Sequence, residues 1–232
     1  LALPTIAAQL INMLYNIVDR IYIGHIPDTG AMALTGVGVC MPLIMIITAF
    51  AALVGNGGAP RATIFMGKNK KDDAEKILAN CFTMQILLSV ILTVVLLIWN
   101  RDFLLAFGAS ANTIEYAASY MNIYALGTIF VQLTLGMNAF ITAQGFAKEG
   151  MLSVLIGAIA NIILDPIFIF GLHMGVRGAA LATVISQCCS CVWVISFLFG
   201  KRTTLRIRGK NMGLKAAYIL PCLALGSAIF IM

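Results

Sequence analysis

Met151-Leu-Ser-Val-Leu-Ile-Gly-Ala-Ile-Ala-Asn161-Ile-Ile-Leu-Asp165-Pro166-Ile-Phe-Ile-Phe-Gly-Leu-His173-Met174 is an apolar run with a carboxylate near its middle. A membrane helix needs about 20 apolar residues, so the run is long enough to cross a bilayer. An acid at the centre of such a helix costs roughly 2.5–3.5 kcal/mol, and acids so placed face a protein interior or a water cavity. Asn161 and Asp165 are four apart and stack on one helix face. Pro166 lacks an N–H and its ring clashes with the carbonyl of Ile162, which frees that carbonyl one turn from Asp165. A carboxylate, an amide and a loose carbonyl suit a small cation such as Na⁺, or a proton held on the acid.

A second apolar run, at the start of the chain, repeats the pattern. Asn12, Asn16 and Asp19 follow i, i+4, i+7 and share one stripe. Tyr15 lies four residues before Asp19 and can donate to it. Arg20 points about 100° away from Asp19 and is not its automatic partner. Two acids on separate membrane helices fit movement of a solute across a bilayer better than helix-to-helix glue.

The rest of the composition agrees. Of 232 residues, 61% are hydrophobic and only 10% charged, and the mean hydropathy is +0.98. A soluble domain carries about 25% charged residues. The class that fits is an all-α polytopic membrane helix bundle with six complete transmembrane helices and the start of a seventh. Spans are predicted at about 1–24, 32–58, 76–99, 116–142, 151–173, 177–199 and 214–232. Twelve of the 15 Lys and Arg fall in the loops after the second, fourth and sixth spans, from Arg61 to Lys76, at Lys148 and from Lys201 to Lys215. Only Arg101 and Arg177 lie in the opposite loops. Basic loops mark the cytoplasmic side, so the expected location is the cytoplasmic membrane, with the amino terminus cytoplasmic. The net charge of +6 is spent on this asymmetry; no basic face with interleaved aromatics points to nucleic acid.

Other features carry less. Asn112-Thr-Ile-Glu115 resembles a capping box opening the fourth span, and Lys68 to Glu75 reads as a solvated loop. Tyr124, Thr128 and Gln132 are spaced by four along that span, a stripe that suits either a cavity lining or bonds between helices; Tyr120 and Asn138 accompany it. Thr183 reads as a residue bonding back to its own helix. The six cysteines lie within apolar runs and behave as small hydrophobes; a metal at Cys188 and Cys191 lacks further ligands nearby. Gly55, Gly57 and Gly58 have no Lys-Ser/Thr after them and form no phosphate loop; they are expected to loosen the end of the second span, which Pro42 kinks. His25 and His173 read as rim residues.

A family resemblance covers essentially the whole chain. Gln144-Gly145, Asn161-Ile-Ile-Leu-Asp165-Pro166 and Gly178-Ala-Ala-Leu-Ala-Thr183-Val-Ile-Ser186 resemble the fifth and sixth helices of the MATE family of multidrug and toxic-compound exporters. Tyr15-Asn16-Ile-Val-Asp19 with Ile23-Gly24 resembles the first helix, and Gly58-Ala-Pro-Arg61 with Met66-Gly67 the end of the second. The resemblance implies two pseudo-symmetric six-helix lobes that rock between inward- and outward-facing states and exchange cationic, often aromatic compounds for Na⁺ or H⁺. It implies a cation-coupling site of Asp19, Asn161, Asp165 and Thr183, with Tyr15 and Tyr120 beside it; the residue spacing adds Asn16 and Gln132 as supporting network or cavity and Pro166 as hinge. No cofactor beyond the coupling ion is implied. One departure is Thr142, where many members carry an arginine.

On this reading residues 1–200 form the amino-terminal lobe, 201–213 a cytoplasmic linker and 214–232 the first helix of a second lobe. Both ends of the chain lie within apolar runs, as in a piece of a longer protein whose carboxy-terminal lobe is the missing partner. Membrane lipid and small cationic or aromatic substrates are the other expected partners. The alternatives are a lipid-linked precursor flippase of the same superfamily, which needs more cationic residues in its cavity, and an intramembrane aspartyl protease, whose Gly-x-Gly-Asp context is absent.

Overall fold

The computed structural model describes residues 2–230 as helices joined by short turns, with no strand among them. The helices are α1 (Ala2–Gly24), α2 (Gly30–Gly67), α3 (Lys71–Ala106), α4 (Ile114–Leu126), α5 (Thr128–Ala143), α6 (Ala147–Pro166), α7 (Val176–Phe199) and α8 (Ala216–Phe230). A π-helical turn, Ile167–Gly171, continues α6, and a 3₁₀ turn, Gly209–Asn211, lies before α8. Residues 231–232 of the seventh predicted span lie outside the described residues.

Length and apolar composition alone select α2, α3, α6 with its π turn, and α7 as spans, and the bent pair α4–α5 as a fifth. The 23 residues of α1 rise about 34 Å, enough for a bilayer core of about 30 Å; its stripe of Asn12, Asn16, Asp19 and Arg20 lowers its hydropathy. The bundle is apolar outside and polar inside. Leu10, Leu14, Ile17 and Ile21 of α1, Val90, Ile91 and Val94 of α3, and Ile159 and Ile163 of α6 are all exposed, while Asp165, Gln132, Gln85 and Thr128 are completely buried.

Two apolar clusters stack along the bundle. One contains Ile23, Val37, Ile114, Ile169 and Val176; the other contains Val54, Phe140, Val194, Leu205 and Cys222 and lies toward the basic loops. Asp19, Asn161 and Asp165 are buried polar residues within the bundle, while Glu75 and Thr203 are buried near the basic loops.

Several predicted boundaries shift. The Lys68–Glu75 charge run is not a loop throughout: only the turn at Lys68–Lys70 is, with Asn69 left-handed at φ 59°, and α3 begins at Lys71. Asp72 and Asp73 sit in its first turn, where the helix dipole favours acids. No capping box opens α4. Its cap is Thr113, whose hydroxyl oxygen accepts from Ser110 N at 3.0 Å, and Glu115 pairs with Arg101 instead. The Gly55–Gly58 segment does not fray. α2 runs through it to Gly67, with both Pro42 and Pro60 inside the helix. The missing side chains admit neighbours: a Cβ at Gly55 would meet the Gly136 backbone of α5, at Gly57 the backbone of Cys222 and Gly226 in α8, and at Gly58 the Cys81 sulfur and the Phe140 ring.

The fourth span is not one straight helix. α4 and α5 meet at Gly127 with a bend of 58°. Val184 of α7 presses on Gly127, where a Cβ would lie 2.5 Å from its methyl carbon. Thr93 of α3 donates to the carbonyl of Ala125 at 2.9 Å, serving a backbone acceptor beside the break, as broken membrane helices require.

Candidate functional site

The candidate site gathers residues from four helices. Asp19 of α1 is 9% exposed, and Asp165 and Asn161 of α6 are 0% and 1% exposed. Asn161 Nδ2 donates to Asp165 Oδ1 at 3.2 Å. The carboxyl groups of Asp19 and Asp165 lie within hydrogen-bonding reach of each other. Yet Asp19 Oδ1, Asp165 Oδ2 and Asn161 Oδ1 are buried without any hydrogen-bond partner. Ionised carboxylates only accept. Two of them side by side, with an amide oxygen alongside, require a shared proton or a cation.

Among the described residues no Lys or Arg forms an ion pair with either acid, although Arg20 attracts Asp19 at longer range. The ion pairs there, Lys76–Asp73, Arg101–Glu115 and Arg208–Glu75, lie at the two ends of the bundle. Arg20 is exposed, beside Ile17, Ile21 and His25.

Tyrosines surround the acids. Tyr15 of α1 is close to Asp19 and Asp165; Asn16 donates to the Asn12 carbonyl at 2.7 Å. Tyr120 of α4 stands near Asp19 with its hydroxyl within reach of Thr183. It stacks on Tyr124 at 6.0 Å. Thr183 of α7 donates to the Ala179 carbonyl at 3.0 Å, the back-bond its sequence suggested. Its side chain thus neighbours Tyr120, which in turn neighbours Asp19.

Gln132 makes a bond between helices, one of the two uses its spacing suggested. Below the Gly127 break it donates to the Ile47 carbonyl of α2 at 2.9 Å, and the bend separates it from Tyr124 above. Sequence reading missed its companion, Gln85 of α3, which donates to the Ala51 carbonyl of α2 at 2.9 Å. The signal was a lone amide inside an apolar run. Pro166 ends α6 where the π turn begins, closed by Leu172 N bonding to Ile167 O at 2.8 Å. π turns within helices cluster at functional sites. This one is braced by α7, since a Cβ at Gly178 would meet the Phe168 backbone at 2.7 Å.

Toward the basic loops, a cavity of ≈ 270 Å³ opens between α1 on one side and α5, α6 and α7 on the other. Its top is Tyr15.

The MatE family model matches residues 4–167. The chain belongs to the MatE family. It is 29% identical over 231 residues to the multidrug export protein MepA of Staphylococcus haemolyticus, covering 100% of this chain and 51% of that protein. A solved outward-facing conformation of a multidrug resistance MATE family transporter superposes with TM-score 0.91 at 27% identity, over 100% of this chain and 51% of that one. A MOP superfamily transporter from Pyrococcus furiosus, for which reverse polarity of the binding pocket suggests a different function, matches equally, with TM-score 0.91, 27% identity and the same coverage. The chain thus spans about half the length of the MATE relatives it matches. MATE members are transporters, which sets aside the intramembrane protease.

Proposed function

We propose that this chain is the amino-terminal lobe of a cation-coupled exporter of organic cations, working by alternating access with a second lobe. Asp19 and Asp165 hold the coupling ion, H⁺ or Na⁺. Asn161 offers its amide oxygen, and Thr183 acts through Tyr120. Residues 201–213 link the lobes, α8 opens the second lobe, and the basic loops face the cytoplasm.

The observation that carries this reading is the trio of unpartnered acceptor oxygens on Asp19, Asp165 and Asn161, buried where neither acid forms an ion pair with a described Lys or Arg. Occupation by a cation joins α1 to α6 at the turn before Pro166, and its loss lets two like charges drive them apart. Movement of one charge through the full membrane potential supplies about 2.3 kcal/mol per 100 mV, enough to drive such a step. A flippase of phosphate-bearing lipids needs cationic side chains in its cavity, and no Lys or Arg lines the cavity beneath the acids.

The test is ethidium efflux from proteoliposomes of the full-length protein, with Na⁺ and pH varied independently. Efflux should follow one of the two gradients in the native protein and neither in Asp165→Asn. Gradient-driven efflux in Asp165→Asn at the native rate rejects the coupling site.

A further inference from the structure

The cavity between α1 and helices α5–α7 has a one-sided design. Its lining includes Gln9 of α1, Asn56 of α2, Asn138 of α5, and Gln187 and Ser190 of α7, and no Asp, Glu, Lys, Arg or His. At the basic-loop end it begins at Pro4 and Ala147. On three helices its upper limit falls one turn short of the acid site. On α1 the lining ends at Tyr15, with Asp19 next. On α6 it ends at Ala158, with Asn161 next. On α7 it ends at Ser186, with Thr183 next.

Pro4 and Tyr15 are separated by about 16 Å of helix, half of a bilayer core of about 30 Å. The volume of ≈ 270 Å³ holds roughly nine waters at about 30 Å³ each. Beyond the acids the packing turns apolar, with Ile23, Ile169, Val176 and Ala179 in one buried cluster.

We infer that this cavity is a water-filled passage within the lobe, which carries the coupling ion between the acid pair and the basic-loop side of the membrane. The inference rests on the coupling role proposed for Asp19 and Asp165. Neutral amides and hydroxyls replace part of an ion's hydration without holding it, and conduction requires sites weak enough to leave. A carboxylate in the same place would be a trap. Asn138 is fixed in the wall by donating to Gly150 O at 3.1 Å and Ser153 Oγ at 2.9 Å.

The experiment uses the full-length transporter in proteoliposomes with Asn56→Leu and Gln187→Leu, alone and together. The one Gln187 contact seen, from Thr134, is to its backbone carbonyl, so the side chain can change without breaking it. The double variant should slow ion-driven ethidium efflux about tenfold, with equilibrium Na⁺ or proton affinity of the acid pair unchanged. In a background with the native cysteines replaced by serine, Gln187→Cys should react with a charged, impermeant thiol reagent from the basic-loop side alone. Native efflux in the double variant, or labelling only from the opposite side, overturns the passage. If Asp165→Asn is inactive while the double variant is native, the passage alone is lost. If Asp165→Asn retains full coupling, the acid site falls and the passage with it.

Discussion

Asn161 spends its amide N–H on Asp165, one turn further along α6 at 3.2 Å, and this leaves its carbonyl oxygen on the same side as a second, unpartnered carboxyl oxygen. The pair is a donor satisfied inside one helix and two acceptors left for something mobile. Asp165→Asn should therefore separate stability from coupling. The new amide can donate to Asp19 and take over the role of the shared proton or cation. The variant should insert and purify at native yield, with a melting temperature that no longer responds to Na⁺ or pH, while gradient-driven efflux falls by 5- to 150-fold or more, the usual range of a coupling energy. Thermal melting across Na⁺ and pH series, beside efflux, reads both. Asp19→Asn should behave in the same way if, as proposed, the acids share one ion.

The contact between α2 and α8 makes a different prediction. Gly57 and Gly226 let the backbones touch: a Cβ on Gly57 would run into the Cys222 carbonyl, and one on Gly226 into the Leu53 carbonyl. Small residues at such crossings supply the association of membrane helices. Beside the crossing, Cys81 of α3 and Cys222 of α8 are buried with their sulfurs within reach of each other. With the other four cysteines replaced by serine, mild oxidation of the full-length protein should join Cys81 to Cys222. Gly57→Leu should prevent the link by displacing α8. If α8 must part from α2 during transport, the oxidised protein stops exporting and a reductant restores it.

The strap between α7 and α8 is held more firmly than a polar linker. Glu75 of α3 has a side chain only 1% exposed and forms an ion pair with Arg208, whose Nε lies 2.7 Å from Oε2. Gln144 Oε1 accepts from Thr203 and from Leu205 N, while Ile207 N bonds to Leu198 O. Removing a partner is worse than removing a pair, since a buried charge is left behind. Arg208→Ala should thus loosen the strap more than Glu75→Gln does, by about 1–2 kcal/mol, the low end for a buried unpaired group because Arg208 is half-exposed. Limited trypsin digestion should cut after Lys201, Arg202 or Arg206 several-fold faster in Arg208→Ala than in Glu75→Gln.

The sequence made the helices legible because apolar length is a strong signal, and the acids legible because a carboxylate in such a run is costly. Asn161 followed from its spacing to Asp165. What escaped depends on neighbours distant in sequence. The burial of Glu75 inside a charge run is caused by Arg208, 133 positions on. Gln132 and Gln85 bond to carbonyls of α2 that no local pattern reveals. The Tyr124–Thr128–Gln132 stripe left cavity lining and bonds between helices open; Gln132 makes the second kind, to Ile47 of α2, and the break at Gly127 interrupts the spacing. Thr183 does not stand out by spacing, since its visible bond is to its own helix; its nearness to Tyr120 depends on the packing of α4 against α7.

That break gives the sharpest test of the fold. A single glycine within a membrane helix does not bend it by 58°; the cause lies in the partner helix. Val184 occupies the space where a side chain at position 127 would go, and Thr93 serves the Ala125 carbonyl beside the bend. Gly127→Ala should straighten or strain the span at a cost of about 1–3 kcal/mol, the usual range for overpacking. Val184→Ala clears the space and should recover most of that loss in the double variant, though alone it leaves a void. The coupling between the two substitutions, read from thermal melting of the full-length protein in detergent, should be about 1 kcal/mol or more in the rescuing direction. Strictly additive effects would mean that Val184 does not hold the bend. Thr93→Val tests the other support: it keeps the shape but removes the donor to Ala125, and should destabilise the bend without being rescued by Val184→Ala.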